Sequence, residues 1–194
     1  MASPLLLETI KIVAGEISNL PYHQRRCNRS RRILFNTSEP LNLACHITDI
    51  PVKGIYRCRI LYDTLLQRIE YLPYTPKEIH RLKVVASEID YPHKYADRAS
   101  LSRLLQPHSN IDEVIIEKEG LLTDTTIANI AFYGNGRWYT PETPLLEGTM
   151  RAQLLEKGVL QKRLIRKEDL HHYSHIALMN AMTGFKILKS PTIL

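Results

Sequence analysis

Lys94 is the first candidate for covalent chemistry in this sequence. It follows Asp90-Tyr91-Pro92-His93, a segment that separates an α+β first half from a second half in which strands and helices alternate. Ligand sites are common at such junctions. An amine shielded from water there becomes nucleophilic, because burial disfavours its charged form. A solvated surface lysine is the alternative that this position alone leaves open.

Five arginines between Arg25 and Arg32 form the second candidate group. The net charge of +6 and the pI of about 9.2 owe much to this cluster. If residues 22–35 are helical, Arg25, Arg29 and Arg32 share one side, whereas Arg26 lies at the edge of the apolar side. An inward guanidinium must find a carboxylate or a phosphate, since burying it unpaired costs several kcal/mol. The geometry alone leaves an internal ion pair and an anion site both open.

The sequence motifs of several other common active sites are absent. The sequence contains no G-x-G-x-x-G, P-loop, H-E-x-x-H or G-x-S-x-G pattern, which argues against dinucleotide, Walker-type, zincin and α/β-hydrolase sites. His171, His172 and His175 have no nearby set of further ligands, so we interpret them as solvated or capping side chains and expect no metal. The three cysteines show no C-x-x-C spacing and are interpreted as small core residues: Cys27, Cys45 and Cys58.

The composition is that of a globular protein. The chain has 194 residues, of which 44% are hydrophobic and 24% charged, enough for one core or two small domains. Its apolar runs are of strand length, so we expect no transmembrane span. The first eight residues lack the basic and apolar regions of a signal peptide, and we therefore expect an uncleaved cytoplasmic protein.

Hydrophobic periodicity predicts two domains. In the first half it predicts a hairpin around Ala14-Gly15, the arginine-bearing helix, a helix over 41–50, and strands over 55–62, 66–74 and 82–87. In the second half it predicts helices near 97–105, 149–157 and 167–173, and strands over 114–118, 120–123, 127–133, 137–140, 160–165, 175–179 and 185–188. We predict an α+β domain over 1–89, a linker over 90–96 carrying Lys94, and a larger α/β domain over 97–194.

Several short motifs then point to one family. His93-Lys94-Tyr95-Ala96-Asp97-Arg98 resembles the lysine segment of the class IV (fold type IV) pyridoxal-phosphate enzymes, which include branched-chain and D-amino-acid aminotransferases and aminodeoxychorismate lyase. Further blocks follow the family's order along nearly the whole chain: Glu8-Thr9-Ile10, His23-Gln24-Arg25-Arg26, Asp124 with Ala128-Asn129-Ile130, Tyr139-Thr140-Pro141, Leu146-Glu147-Gly148-Thr149-Met150-Arg151 and Asn180-Ala181-Met182.

The resemblance implies a two-domain fold type IV architecture like that of D-amino-acid aminotransferase, with a shortened N-terminal domain. It implies pyridoxal 5'-phosphate as cofactor, held covalently by Lys94, which also acts as acid and base. Asp124 would fix the protonated ring nitrogen; a turn-forming aspartate is the alternative. The remaining implied contacts are Arg26, Gly148, Thr149 and Met150 for the phosphate, Asn180 and Ala181 as added donors, and Arg98 for the substrate or a cofactor oxygen.

Three of these residues keep an alternative. Thr149 could be the N-cap of its helix, Asn180 could belong to a turn, and Arg98 could be an ordinary surface arginine. The sequence also departs from the family pattern, because Asp124 stands where aminotransferases usually have Glu and Thr149-Met150 replaces the common Ile-Thr pair.

The resemblance implies an enzyme acting on an amino acid or amino-carboxylate. Asp124 and Asn180-Ala181-Met182 favour cleavage of aminodeoxychorismate to 4-aminobenzoate and pyruvate, with amino-acid transamination as the alternative. A nucleic-acid-binding module using Arg25, Arg29, Arg31 and Arg32 is a distant alternative, since it leaves the other motifs unexplained. We expect neither a nucleic-acid nor a membrane partner. We expect a homodimer, because one short chain offers little mass to wall a water-excluding cleft.

Overall fold

The computed structural model describes residues 3–194, which divide into two compact units. The first unit contains the chain up to Pro76 together with His93–Asp97, and the second contains Lys77–Pro92 together with Arg98–Leu194. Residues 1 and 2, which begin the segment that argued against a signal peptide, lie outside the described residues. No helix within residues 3–194 combines the length and the apolar character needed to cross a membrane.

The first unit is a four-stranded antiparallel sheet with a long helix. Its elements are β1 (Leu6–Val13), β2 (Glu16–Ile17), α1 (Leu20–Phe35), α2 (Leu43–His46), β3 (Ile55–Tyr62) and β4 (Leu66–Pro73). The strand order is β2-β1-β3-β4. Alternate residues of β1 are fully buried, and Leu6, Ile10 and Ile12 join the core with Cys27 of α1 and Ile60 of β3. This alternation is the period of two expected of a strand with one face on the core.

Helix α1 begins after a proline and buries one side. Pro21 lies in its first turn, where the missing N–H costs nothing, and His23, Arg26, Cys27, Ser30 and Arg31 are its buried residues. Helix α2 is shorter than the predicted helix over 41–50. Asn42 starts it by accepting a hydrogen bond from the Ala44 N–H at 3.1 Å, while Leu41 and Ile47 reach the core from irregular backbone.

The second unit is built on a mixed sheet. Its elements are β5 (Arg81–Ala86), α3 (Ala99–Leu105), β6 (Glu113–Lys118), β7 (Leu121–Thr125), β8 (Asn129–Gly134), β9 (Arg137–Pro141), α4 (Thr149–Glu156), β10 (Leu160–Arg163), a 3₁₀ helix (Lys167–His172), β11 (His175–Asn180), β12 (Gly184–Ile187) and β13 (Thr192–Ile193). The order is β10-β9-β8-β7-β6-β5-β13, with β11 pairing to β8 and β12. Strand β13 was not predicted from the sequence.

The predicted domain boundaries need correction at two places. The strand assigned to the first domain, β5, belongs to the second unit, where Leu82 opposes Glu113 of β6 and packs with Ile115, Leu122 and Ile130. Conversely, His93–Asp97 packs with the first unit rather than forming a free linker. Local alternation identifies a strand but not the sheet that it joins.

The cysteine prediction holds in part. Cys27 and Cys58 are buried in the core of the first unit, but Cys45, in α2, is exposed. All three are free thiols.

Candidate functional site

The segment that carries Lys94 pairs with the first strand. The N–H of Leu7 donates to the Lys94 carbonyl at 2.8 Å, and the Ala96 N–H donates to the Leu5 carbonyl at 2.8 Å. Leu6 and Tyr95 form the antiparallel bridge between these two bonds. Lys94, which is half-buried, is therefore held at its backbone by β1 rather than lying on a free loop.

Glu8 on β1 is the centre of a buried ionic cluster. Its carboxylate accepts hydrogen bonds from Arg26 Nε at 2.9 Å and Arg26 Nη2 at 2.6 Å. His23 Nδ1 lies 2.6 Å from the same carboxylate. Burial by itself would raise the pKa of Glu8, but the charge and hydrogen bonds of Arg26, with a smaller contribution from His23, lower it to about 2. Glu8 is therefore a carboxylate at neutral pH.

Lys94 lies within electrostatic reach of this cluster. The pKa of His23 is lowered, first by burial and also by the positive charges of Arg26 and Lys94, although Glu8 opposes the shift. Of the two alternatives for Arg26, the internal ion pair is thus observed. A phosphate contact by Arg26 stays a prediction. Glu8 and His23 were missed as functional candidates, although both stand in the quoted motifs.

Three of the other four arginines of α1 are exposed, as the helical phase predicted, and the fourth, for which the phase made no prediction, is buried. Arg25, Arg29 and Arg32 are exposed. Arg31 is buried and donates to the carbonyls of Glu39 at 2.7 Å and Thr64 at 2.6 Å. The nucleic-acid surface proposed from the sequence is therefore wrong about Arg31, whose guanidinium is used to bind backbone inside the protein.

In the second unit, Asp124 is buried on β7. Its Oδ1 accepts from Asn129 Nδ2 at 2.6 Å, and its Oδ2 accepts from the Leu146 N–H at 2.9 Å. Burial raises the pKa of Asp124 to about 7, because these two bonds and the charge of Arg151 offset the loss of solvent only partly. A further positive charge beside Asp124 would lower its pKa again.

Asn129 joins Asp124 to the turn before α4. Its Nδ2 also donates to the Leu146 carbonyl at 2.8 Å. A Cβ placed on Gly148 would overlap with Asn129 Oδ1, so no side chain fits at this position without displacing Asn129. Asn129 was not among the predicted site residues; the signal that could have found it is the Ala128-Asn129-Ile130 element.

Helix α4 begins at the residues predicted for phosphate binding. Gly148 occupies the N-cap position and Thr149 is the first helical residue, so the alternative of Thr149 as N-cap is wrong. The first backbone N–H groups of a helix have no partner within it and favour anions. Met150 is half-buried and packs against the cluster of Ala131, Leu160 and Met179.

Arg151 fixes this helix in place. Its Nη2 donates to the Pro141 carbonyl at 2.7 Å, and its Nε donates to Thr140 Oγ1 at 3.3 Å. Both acceptors lie on β9. The start of α4 is thereby tied to the sheet that contains Asp124, which gives the arginine of the Gly148-Thr149-Met150-Arg151 motif a structural purpose.

Arg98 and Asn180 meet the same turn between β7 and β8. Arg98 Nη2 donates to the Thr126 carbonyl, and Asn180 Nδ2 donates to the Ile127 carbonyl at 3.3 Å. Asn180 Oδ1 also accepts from the N–H groups of Met182 and Thr183, each at 2.9 Å, so the turn role is observed for Asn180. Ala181 lies in that turn. Arg98 is half-buried just before α3 rather than an ordinary surface arginine.

Each unit therefore assembles part of the predicted site. The first unit brings Lys94 and Arg26 to β1, and the second brings Asp124, Gly148 and Thr149 together through Asn129 and Leu146. His171, His172 and His175 are exposed on the second unit, which agrees with their interpretation as solvated side chains.

The model of the amino-transferase class IV family matches residues 5–190. The chain belongs to this family. Class IV amino-transferases are pyridoxal-phosphate-dependent enzymes, and the prediction of an enzyme of this family is thus confirmed.

Relatives of the class IV chain include proteins of similar length. An uncharacterised protein of Haemophilus influenzae is 38% identical over 184 residues, which are 92% of this chain and 98% of that protein. A "putative aminodeoxychorismate lyase" of Schizosaccharomyces pombe is 31% identical over 126 residues, covering 60% of this chain and 54% of the relative.

Solved structures agree with the predicted fold. The structure of a "putative 4-amino-4-deoxychorismate lyase" from Haemophilus somnus has a TM-score of 0.87 and 38% identity, over 95% of this chain and 99% of that one. A "hypothetical aminotransferase" from Mycobacterium tuberculosis in its PLP-bound form has a TM-score of 0.81 at 16% identity, over 98% of this chain and 81% of that one. The second likeness shows the fold alone, and the fold type IV prediction is confirmed.

Proposed function

We propose that this class IV chain is an aminodeoxychorismate lyase that binds pyridoxal 5'-phosphate through Lys94. The observation that supports the reaction best is the 38% identity, over nearly the full length of both chains, with the Haemophilus somnus protein of that description. The Schizosaccharomyces pombe relative, whose description also names this lyase, adds support over a shorter region.

The residues of the first unit suit the binding of this cofactor. Lys94 supplies an amine on a backbone fixed by two hydrogen bonds to β1. Arg26 has its guanidinium held by Glu8 through Nε and Nη2. A guanidinium is a strong partner for phosphate, and this clamp fixes the orientation of the Arg26 guanidinium. We propose that Arg26 contacts the phosphate and that Glu8 keeps its plane fixed.

The residues of the second unit supply the complementary groups. Asp124 is a carboxyl whose pKa is raised by burial, and a protonated pyridine nitrogen beside it would stabilise the carboxylate form. The start of α4 offers backbone N–H groups at Gly148, Thr149 and Met150, with the Thr149 hydroxyl beside them. The amine, the carboxyl, the guanidinium and the backbone N–H groups at the start of a helix are the chemical groups that this cofactor needs.

When bound, pyridoxal phosphate supplies an aldehyde that bonds to amines and a ring that withdraws electrons from the carbon beside the amino group. The chain supplies the proton transfers. Lys94 Nζ takes up and returns the proton, since an amine between two protonation states is an effective general acid and base. Asp124 maintains positive charge on the ring nitrogen, and Asn129 keeps the Asp124 carboxyl in one orientation.

Arg98, Asn180 and Ala181 belong to the proposal as secondary contacts. The first two are already bound to the β7–β8 turn, so we propose that they shape this turn rather than hold the phosphate directly. The proposed assembly is a homodimer, on the strength of the family resemblance.

Product analysis of the reconstituted enzyme tests the reaction. The cofactor-loaded protein is incubated with aminodeoxychorismate alone, and 4-aminobenzoate and pyruvate are quantified. We expect both products in equal amounts from the wild type and from Lys53→Ala, a variant at an exposed lysine of the same unit, and none from Lys94→Ala.

The family-model match keeps transamination as the second candidate. A panel of L- and D-amino acids with a 2-oxo acid distinguishes the two. Amino transfer to the 2-oxo acid, with no pyruvate formed from aminodeoxychorismate, would replace the lyase by an aminotransferase. A protein that holds the cofactor and turns over neither substrate set would contradict both.

A further inference from the structure

The face of the four-stranded sheet opposite α1, here called the outer face, bears an unusual charge arrangement. Glu8, Ile10 and Ile12 of β1 point to the core, so Leu7, Thr9 and Lys11 occupy the outer face. The register places Lys11 directly opposite Arg57 of β3. Two like charges in directly opposed positions of neighbouring strands destabilise a sheet.

Neither cation of this pair is neutralised by a neighbouring acid. Arg59 and Arg68, also on the outer face, share Glu70 at 3.0 and 2.8 Å. Within residues 3–194, by contrast, neither Lys11 nor Arg57 has an acidic partner within salt-bridge distance. Both are half-buried, which increases the cost of leaving their charges together.

The guanidinium of Arg57 is also fixed in position by a neighbouring ring. Its guanidinium stacks over the Tyr74 ring, 4.9 Å from the centroid. Its Nε is buried and has no hydrogen-bond partner among the described residues. A buried donor without a partner costs free energy, and an oriented donor beside a second cation suits a carboxylate or phosphate.

Lys94 belongs to the same face by register. The bonds on either side of the Leu6–Tyr95 bridge put Lys94 opposite Leu7, and Leu7 lies on the outer face. Lys11 is four residues further along β1, about 13 Å at the usual rise of a strand. The long side chains of Lys94, Lys11 and Arg57 shorten the distance that a ligand must span.

We propose that Lys11 and Arg57 bind a carboxylate of the substrate that is remote from the amino group reacting at Lys94. This inference rests on the proposed function and assigns its specificity: the enzyme selects amines whose far end is anionic. The repulsion in the free protein is relieved when the ligand binds, which is the usual conflict between stability and function at a binding site.

Binding of 4-aminobenzoate to the cofactor-loaded protein tests the proposal by calorimetry. The ligand has an amine and a carboxylate at opposite ends, and aniline is the same ligand without the carboxylate. We expect Lys11→Met and Arg57→Gln each to weaken 4-aminobenzoate binding about tenfold or more and to leave aniline binding unchanged. The matched control is Arg68→Gln, which removes one charge from the same face at a cation that Glu70 neutralises; it should change binding less than about twofold.

Thermal unfolding of the cofactor-free protein gives an independent readout. Lys11→Met should raise the unfolding temperature by about 1–3 °C, because it removes a like-charge pair. A merely structural Lys11 would instead lower it when replaced.

Equal effects of all three variants, no discrimination between 4-aminobenzoate and aniline, or no binding of 4-aminobenzoate to the wild type would overturn the proposal. The visible absorbance of the same samples reports whether Lys94 holds the cofactor, so failure of the proposed function is recognised separately.

Discussion

Replacing Glu8 by Gln should destabilise the first unit strongly. The change keeps the size of the side chain but removes the negative charge that Arg26 and His23 face in a fully buried position. Arg26, which is only 7% exposed, would then be a buried cation with its main partner neutralised. Removing one partner of such a pair costs more than the pair itself contributes, because the remaining charge stays desolvated.

The pKa of Glu8 gives the magnitude. It falls from 4.5 to about 2 on folding, and each pKa unit corresponds to about 1.4 kcal/mol, so the carboxylate stabilises the folded state by about 3 kcal/mol at neutral pH. Buried pairs that lose one partner show losses of about 3–5 kcal/mol, which agrees. Because the folded-state pKa is depressed, this stabilisation is complete above about pH 4.5 and is lost as the pH falls towards 2.

Urea unfolding measured at several pH values, with hydrogen exchange of α1 and β1, tests this expectation. The control is Glu70→Gln, which also removes a carboxylate shared by two arginines, but at side chains that are less buried than Glu8 and Arg26. It should cost less than about 1 kcal/mol. Glu8→Gln should cost about 3 kcal/mol at pH 7 and much less near pH 3. A loss equal to that of Glu70→Gln, or one that does not depend on pH, would refute the reasoning.

Three further predictions concern the second unit and the assembly. Because burial raises the pKa of Asp124 from 3.8 to about 7, the cofactor-free protein should lose up to about 4 kcal/mol of stability as the pH rises through that interval. In the Asp124→Asn variant, this loss of stability with rising pH should be absent from unfolding curves. The cofactor-loaded variant should turn over several orders of magnitude more slowly than the wild type. A near-normal rate would show that Asp124 is a turn residue only. Gly148→Ala should lower the free energy of unfolding by about 1–3 kcal/mol and weaken cofactor binding, because its Cβ displaces Asn129; unchanged thermal unfolding would contradict the overlap. Sedimentation equilibrium should give twice the 22.4 kDa chain mass, with cofactor lost on dissociation, whereas an active species of single-chain mass would exclude the homodimer.

Local patterns in the sequence predicted most elements. Gly134-Asn135-Gly136 predicted the β8–β9 hairpin, because Asn135 and Gly136 accept the positive φ of 51° and 74° that the turn requires. The phase of α1 predicted that Arg26 points inwards. It did not predict the partner Glu8, because the pairing joins residues 18 positions apart and depends on how the helix packs on β1.

Local sequence patterns could not predict which sheet a strand joins or which side chains share a hydrogen-bond network. The alternation over 82–87 identified β5 but not its parallel pairing with β6. Asn129 was missed because its importance lies in three contacts made in space, with Asp124, Leu146 and Gly148. The outer face became visible only when the register placed Lys11 beside Arg57.

The position of the covalent bond to the cofactor tests the central claim most directly. The protein is loaded with pyridoxal phosphate, reduced with borohydride, digested and mapped by mass spectrometry. We expect one adduct per chain, on the peptide that contains Lys94, in the wild type and in Lys53→Ala. An adduct on another lysine, or none in the presence of excess cofactor, would contradict the assignment of Lys94 and the function built on it.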